Sequence, residues 1–222
     1  MKFATVFLAL LAVAAALAPL DPLHLYRRWE RDPSVDQNER LTALAGASLY
    51  VLLVAIALTV IRLPEQLPLH YLVGFLLIPP VALKLASTGY RFARYYLGGA
   101  ADGRPDPPPA LFRFIVAPLL VASTVGVFAS GLELWAFGLA YGQAWTTAHT
   151  VSAVVMVLSG SAHVMGHLRR SAAAAVEEVR ASAPRGASVR RSIVIGSLVL
   201  GLALAVASLL YASPFPPGAA GG

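Results

Sequence analysis

Long apolar runs constrain this chain more than any other feature of its sequence. A helix needs about 20 apolar residues to cross the hydrocarbon core of a bilayer, whereas a membrane β-strand has about ten residues of alternating polarity. The runs in this chain are continuous and do not alternate, so they predict transmembrane helices. Those without Asp, Glu, Lys or Arg cover residues 3–20, 41–61, 114–132, 146–168 and 192–213, and a sixth run, 69–89, is interrupted by Lys84 alone.

The composition excludes an ordinary soluble domain. Hydrophobic residues make up 58% of the 222 residues and charged residues 13%, which is about half the charge that soluble domains carry. We therefore predict an all-α integral membrane protein, with one membrane domain of six transmembrane helices and a disordered tail at 214–222. The predicted spans cover about 3–20, 41–61, 69–89, 112–141, 146–168 and 192–213.

Arginines mark one side of the predicted membrane domain. The loops 21–40, 90–113 and 169–191 carry four, four and six arginines, and six helices place these loops on the same side. The positive-inside rule makes that side cytoplasmic and places both termini outside. A cleaved signal peptide within 1–20 would invert this orientation, so we expect that the first helix is retained. The net charge of +6 therefore reflects membrane orientation, and we expect no nucleic-acid partner.

Histidines recur at matched positions on two predicted spans. His70 begins the third span and His149 begins the fifth, and both spans run from outside to inside. Fourteen residues further on stand Lys84 and His163, which corresponds to about 21 Å along a helix and nearly the same face. The pattern predicts two levels between two helices, with His70 beside His149 near the outside and Lys84 beside His163 toward the inside.

The paired histidines have the chemistry of a haem site. Two imidazoles from facing helices hold a low-spin haem that passes electrons without binding oxygen. Gly74 lies one turn after His70 and Gly160 lies three residues before His163, and glycine allows a flat macrocycle to approach the backbone. Cysteine is absent, which excludes iron–sulfur clusters and c-type haem attachment. The expected cofactor is therefore a haem that is not attached through cysteine.

The pattern resembles the transmembrane di-haem b-type cytochromes, which include the cytochrome b of quinol-oxidising complexes and the b-type subunits of hydrogenases and formate dehydrogenases. In that family, paired histidines at this spacing on two parallel helices ligate two b-type haems. The resemblance covers about 41–211 and rests on His149-x13-His163 opposite His70, and the stretch 70–96 is similar to bacterial members. It implies a four-helix haem-binding bundle in a bacterial plasma membrane, with one haem held by His70 and His149.

Lys84 stands where the resemblance implies a fourth histidine, and three accounts of it are open. It ligates a second haem together with His163, or it neutralises a haem propionate, or its ammonium reaches the headgroups at the membrane surface. Arg91, on the same face, either pairs with propionates or anchors the helix at the interface. His167 is interfacial, replaces His163 as a ligand, or binds a propionate.

These expectations describe an electron-transfer subunit of an oxidoreductase complex rather than a stand-alone enzyme, since no dinucleotide fingerprint, P-loop or nucleophile–base pair is present in the sequence. By analogy with the family, it passes electrons between an extracytoplasmic redox subunit and quinone or another membrane carrier. Two alternatives stay open. One is a small proton- or ion-coupled transporter or channel that uses Lys84, Glu133 and the histidines. The other is a structural subunit without a cofactor.

Overall fold

The computed structural model describes residues 33–97, 110–180 and 182–211, together with residues 9, 12 and 13. Within these residues the chain is helical, and no strand is present there. Five long helices follow one another, and a short π-helical segment leads into the third. They are α1 (Pro33–Val60), α2 (Leu63–Leu97), the π-helical segment (Phe112–Val116), α3 (Ala117–Phe137), α4 (Ala144–Val179) and α5 (Ala187–Ser208).

Every one of these helices is long and apolar enough to cross a membrane, which confirms the expectation of an all-helical, multi-pass membrane protein. The candidate spans are Asp36–Val60, Leu63–Arg94, Phe112–Phe137, Ala144–His167 and Ala187–Ser208. The first of the six predicted helices, at 3–20, lies outside the described residues except at positions 9, 12 and 13. The tail predicted at 214–222 lies outside them entirely.

The helices differ from the predicted spans at their ends. The span predicted to reach residue 141 ends at Phe137, because Gly138 adopts a φ of 60° that breaks the helical path. In contrast, α1 begins at Pro33 and α4 continues to Val179, so both extend beyond the apolar runs at one end of the bundle. Polar residues of these two extensions form ion pairs with each other. A prediction from hydropathy ends each span where the apolar run ends, so it does not include these helical turns.

A buried ion pair links the extended helix ends. Glu178 of α4 is fully buried, and its two carboxylate oxygens accept hydrogen bonds of 2.8 and 2.9 Å from the guanidinium of Arg190 in α5. Arg40 of α1 donates to Asp36 in its own helix and to Glu177 of α4, both at 3.0 Å. This network joins α1, α4 and α5, and we call its side of the bundle the charged end.

The first four helices form a bundle in which α2 and α4 lie diagonally opposite. Helix α1 packs against both α2 and α4, α3 packs along α4, and α5 packs on the outside against α2. No Cα atom of α2 lies within 8 Å of a Cα atom of α4 among the described residues, although both helices face the interior. The diagonal therefore leaves room for side chains or a bound group between α2 and α4.

Glycine allows α5 to approach α2 closely. A Cβ atom at Gly201 of α5 would collide with the backbone carbonyl oxygen of Leu76 in α2 and would lie 3.2 Å from its Cδ1 atom. In contrast, a Cβ atom at Gly196, on the same helix, would meet no atom within 4 Å. Small residues serve this purpose in membranes, where van der Waals packing drives helix association.

We expect Gly201→Ala to lower the free energy of unfolding by about 2 kcal/mol, because the added methyl group must separate α5 from the α2 backbone. Gly196→Ala is the matched control, and we expect it to be neutral or slightly stabilising, since alanine favours helix. Unfolding in mixed detergent micelles measures both. Equal stability of the two variants would contradict the close α2–α5 contact.

Candidate functional site

Two histidines face each other across the diagonal of the bundle, at the end opposite the charged end. His70 lies near the start of α2 and His149 near the start of α4. Their ring centroids are 6.3 Å apart, and the ring planes are nearly perpendicular, at 81°. The rings therefore occupy the space that the separation of the two helix backbones provides. We call these two residues the histidine pair.

The hydrogen bonds of His149 determine which of its ring nitrogens carries the proton. Its Nδ1 atom lies 3.1 Å from the backbone carbonyl oxygen of Val127 in α3. A carbonyl oxygen only accepts, so Nδ1 must be the protonated nitrogen that donates to it. The hydroxyl of Ser130, which donates to the carbonyl of Gly126, lies 3.2 Å from the same nitrogen as a second acceptor. The Nε2 atom of His149 therefore carries the free lone pair.

The same argument applies to His70. Its Nδ1 atom lies 2.8 Å from the hydroxyl oxygen of Thr59 in α1. That hydroxyl donates its hydrogen to the carbonyl of Ile56 at 2.6 Å, so its oxygen accepts a hydrogen bond from His70. Both members of the histidine pair are therefore protonated at Nδ1 and offer Nε2 as a ligand. Metal-bound histidines have this arrangement, because the outer hydrogen bond fixes the tautomer and the ring orientation.

The separation of the histidine pair suits a shared metal ion. Each metal–imidazole bond is about 2 Å long and each ring centre lies about 1 Å beyond its nitrogen, so two axial imidazoles place their centroids about 6 Å apart. The observed distance is 6.3 Å. Two imidazoles that shared one haem iron would have about this spacing, and each ring has a lone pair at Nε2 with which it would bind the iron.

The glycine next to the histidine pair is Gly131, which the sequence analysis did not single out. A Cβ atom at Gly131 would lie 3.1 Å from Cε1 of His149, so this glycine leaves room for the imidazole. The two predicted glycines have other neighbours. A Cβ atom at Gly74 would lie 4.0 Å from Ile56 of α1, and one at Gly160 would lie 3.7 Å from Leu120 of α3.

A second set of predicted residues surrounds a small polar cavity nearer the charged end. The cavity has a volume of about 80 Å³ and lies between α1, α2 and α4. We call it the polar cavity. Its polar lining includes Glu39, Thr42, Lys84, Arg91, His163 and His167. The structure thus brings together Lys84, Arg91, His163 and His167. Because His70 faces His149 near the start of both helices, and Lys84 and His163 line one cavity further along both, α2 and α4 run parallel.

Lys84 is held against α1 within the polar cavity. Its ammonium donates a hydrogen bond of 2.7 Å to the backbone carbonyl of Thr42. Gly46, one turn further along α1, makes this approach possible, because a Cβ atom there would lie 2.8 Å from Nζ of Lys84. The rings of His163 and His167 lie edge to face on α4, with centroids 4.6 Å apart. Iron ligation by Lys84 and His163 stays a prediction.

The residues that orient the histidine pair were not found in the sequence. Thr59, Ser130 and the Val127 carbonyl come from α1 and α3, which carry no histidine in the described structure. Polar hydroxyls within apolar spans are a weak signal, because most of them bond to their own helix. Thr124, for example, donates to the carbonyl of Leu120 in its own helix.

We expect ¹⁵N NMR of the histidine-labelled apoprotein to show both members of the histidine pair protonated at Nδ1, whereas free histidine prefers the Nε2–H form. Thr59→Val removes the acceptor at His70 without changing the side-chain volume much, and should return His70 alone toward the Nε2–H form. Thr124→Val is the matched control and should change neither ring. Nε2–H signals for both rings in the unmodified protein would contradict the assigned tautomers.

Comparisons with known proteins add no assignment to this geometry. The chain matches no protein-family model, no curated protein and no solved structure. The case for a function therefore rests on the chemistry of the residues described above.

Proposed function

We propose that this chain is a membrane electron-transfer subunit that binds a b-type haem between His70 and His149. The observation that carries the proposal is the histidine pair itself. Two imidazoles from parallel helices have centroids 6.3 Å apart, and each is bound at Nδ1 so that Nε2 is free to ligate. A second haem at Lys84 and His163 would require a larger space than the polar cavity, which holds about 80 Å³, so the proposal is for one haem.

The ligand set favours haem over a bare metal ion. A structural or catalytic zinc ion needs three or four protein ligands. Within the residues that the structure describes, no group of three or more His, Asp or Glu side chains is arranged to hold a metal ion. Haem iron needs only two axial ligands, because the macrocycle supplies the other four. The histidine pair provides that number.

The surrounding residues suit electron transfer rather than oxygen chemistry. Haem supplies a one-electron redox couple when bound, and two axial imidazoles leave its iron no open position for oxygen. Thr59 and the Val127 carbonyl hold the two rings from opposite sides of the bundle, so little ring reorientation accompanies a change of charge. Their hydrogen bonds also increase the basicity of the ligating nitrogens.

A second cavity supports quinone as the membrane carrier. It lies between α1 and α2, has a volume of about 520 Å³, and is lined mainly by apolar side chains together with Thr59, Arg62 and Gln66. Pockets of this size and character hold drug-sized ligands. Because Thr59 also bonds to His70, a quinone ring in this cavity would lie one residue away from the haem ligand. The extracytoplasmic redox partner is proposed from the resemblance alone.

We expect the purified protein, reduced with dithionite, to show the Soret and α bands of low-spin haem b. His70→Ala and His149→Ala should each abolish this haem, since each removes one axial ligand. His163→Ala, further along α4 from His149, is the matched control for the histidine pair and should retain it. A colourless protein that takes up no added haem, or full haem binding by His149→Ala, would contradict the proposal.

The same samples count the haems. One haem per chain, unchanged by Lys84→Ala and His163→Ala, means that the histidine pair holds the whole complement. Two haems per chain, with one lost in either of these variants, means that Lys84 and His163 ligate the second.

The angle between the rings gives a separate spectroscopic test. Perpendicular axial imidazoles leave the iron orbitals that carry the unpaired electron nearly degenerate, whereas parallel imidazoles separate them. From the observed 81° we expect the oxidised protein to show a highly anisotropic low-spin EPR signal with one large g-value. A rhombic signal typical of parallel imidazoles would show that the rings rotate when haem binds.

A second candidate function, a proton-coupled transporter, rests on Glu133 in α3. Both carboxylate oxygens of Glu133 are buried, and neither has a hydrogen-bond partner within the described part of the chain. Carboxyl groups within membrane-spanning helices line the proton pathways of pumps and transporters. The spectrum described above distinguishes the two candidates, because a transporter would be colourless and Glu133→Gln would abolish its proton flux.

A further inference from the structure

The polar cavity contains more positive than negative side chains. Lys84 and Arg91 line it from α2, and Glu39 from α1 is the carboxylate in its lining. His163 and His167 add two imidazoles from α4. Among the described residues, the Lys84 ammonium bonds to the neutral carbonyl of Thr42, and no carboxylate forms an ion pair with it there. An ammonium group is costly where helices cross a membrane, unless an opposite charge accompanies it.

The hydrogen bonds of Lys84 leave donor capacity for a ligand. An ammonium group has three N–H donors, and the acceptor that the described structure gives it is the Thr42 carbonyl. That bond fixes the amine at the wall of the cavity, because Gly46 leaves space for it on α1. The ring of His163 lies on the α4 side of the same cavity and can donate an N–H group. Donors from two helices therefore border one small space.

The size of the polar cavity limits what it can accept. A volume of about 80 Å³ fits a compact ion or a few water molecules. Drug-sized ligands need about 300 Å³ or more, so a nucleotide or a macrocycle would require the helices to move apart. A compact group with several oxygen acceptors and one negative charge fits both the volume and the charge.

We propose that the polar cavity binds a phosphate-type oxyanion, with Lys84 as its principal charged contact and His163 as a second donor. The group is either inorganic phosphate or the phosphodiester of an anionic lipid, since the two share the same acceptor chemistry. The site lies apart from the histidine pair and does not depend on haem binding there. A second haem ligated by Lys84 would be incompatible with it.

The test uses the full chain in phosphatidylcholine nanodiscs, with Tm as the measurement. In one arm, inorganic phosphate is added and compared with chloride at equal ionic strength. In the other arm, phosphatidylglycerol replaces part of the phosphatidylcholine in phosphate-free buffer. A ligand that binds only the folded protein raises Tm, and with the ligand at about ten times its Kd we expect a shift of about 4 °C in one arm.

Two cavity variants and one control assign the shift to this site. Lys84→Met keeps the length of the side chain but removes its charge, and should abolish the shift. Arg91→Gln, two turns further along the same α2 wall, should reduce it and serves as the second variant if Lys84→Met does not fold. Arg180→Met removes an exposed arginine just beyond α4 and outside the cavity, and should leave the shift unchanged.

The outcomes decide the proposal and its ligand. A Lys84-dependent shift with phosphate identifies the free anion, and one with phosphatidylglycerol alone identifies the lipid. The proposal is overturned if Tm does not shift in either arm. It is also overturned if Lys84→Met and Arg91→Gln show the same Tm shift as the unmodified protein. Loss of haem in Lys84→Met also overturns it. The Soret band of the same samples reports the histidine pair separately, so a colourless protein with a Lys84-dependent shift would contradict only the proposed electron-transfer function.

Discussion

The polar groups of this chain must find partners inside the protein, because the hydrocarbon core of a membrane offers no water to bind them. This constraint determines the chemistry of the histidine pair. The hydroxyls of Thr59 and Ser130 donate to carbonyls of their own helices, so only their lone pairs remain for the imidazoles. Each imidazole must therefore donate from Nδ1, and the lone pair of Nε2 is left for a ligand.

The diagonal arrangement of the bundle leaves space beside that lone pair. Helices α2 and α4 stay more than 8 Å apart at their Cα atoms throughout the described residues, while α1 and α3 carry the groups that orient the histidines. The two functions are thus divided between the helix pairs. One pair carries the two histidines, and the other carries the acceptors that orient their rings.

The two ends of the bundle differ in the charge of their buried side chains. At the charged end, Glu178 and Arg190 form a fully buried, two-pronged ion pair that joins α4 to α5. Removing one partner of such a pair is strongly destabilising, because the other charge remains buried. The polar cavity lies toward this end, and the Lys84 ammonium in its wall bonds to the neutral carbonyl of Thr42. The histidine pair lies at the other end among neutral acceptors, the Thr59 hydroxyl and the Val127 carbonyl.

The sequence alone determined the helical class, five of the spans and the matched spacing of His70, His149, Lys84 and His163, because apolar runs and a repeat of fourteen residues are local properties. Hydropathy did not predict that a helix ends at Gly138, because that end depends on backbone conformation. It also did not predict the pairing of Glu178 with Arg190, because the two residues lie on different helices. Only the tertiary structure decided that Thr59, Val127 and Gly131 orient the histidine pair and that Lys84 bonds to Thr42. These contacts join different helices, and spacing within one helix carries no information about what faces it.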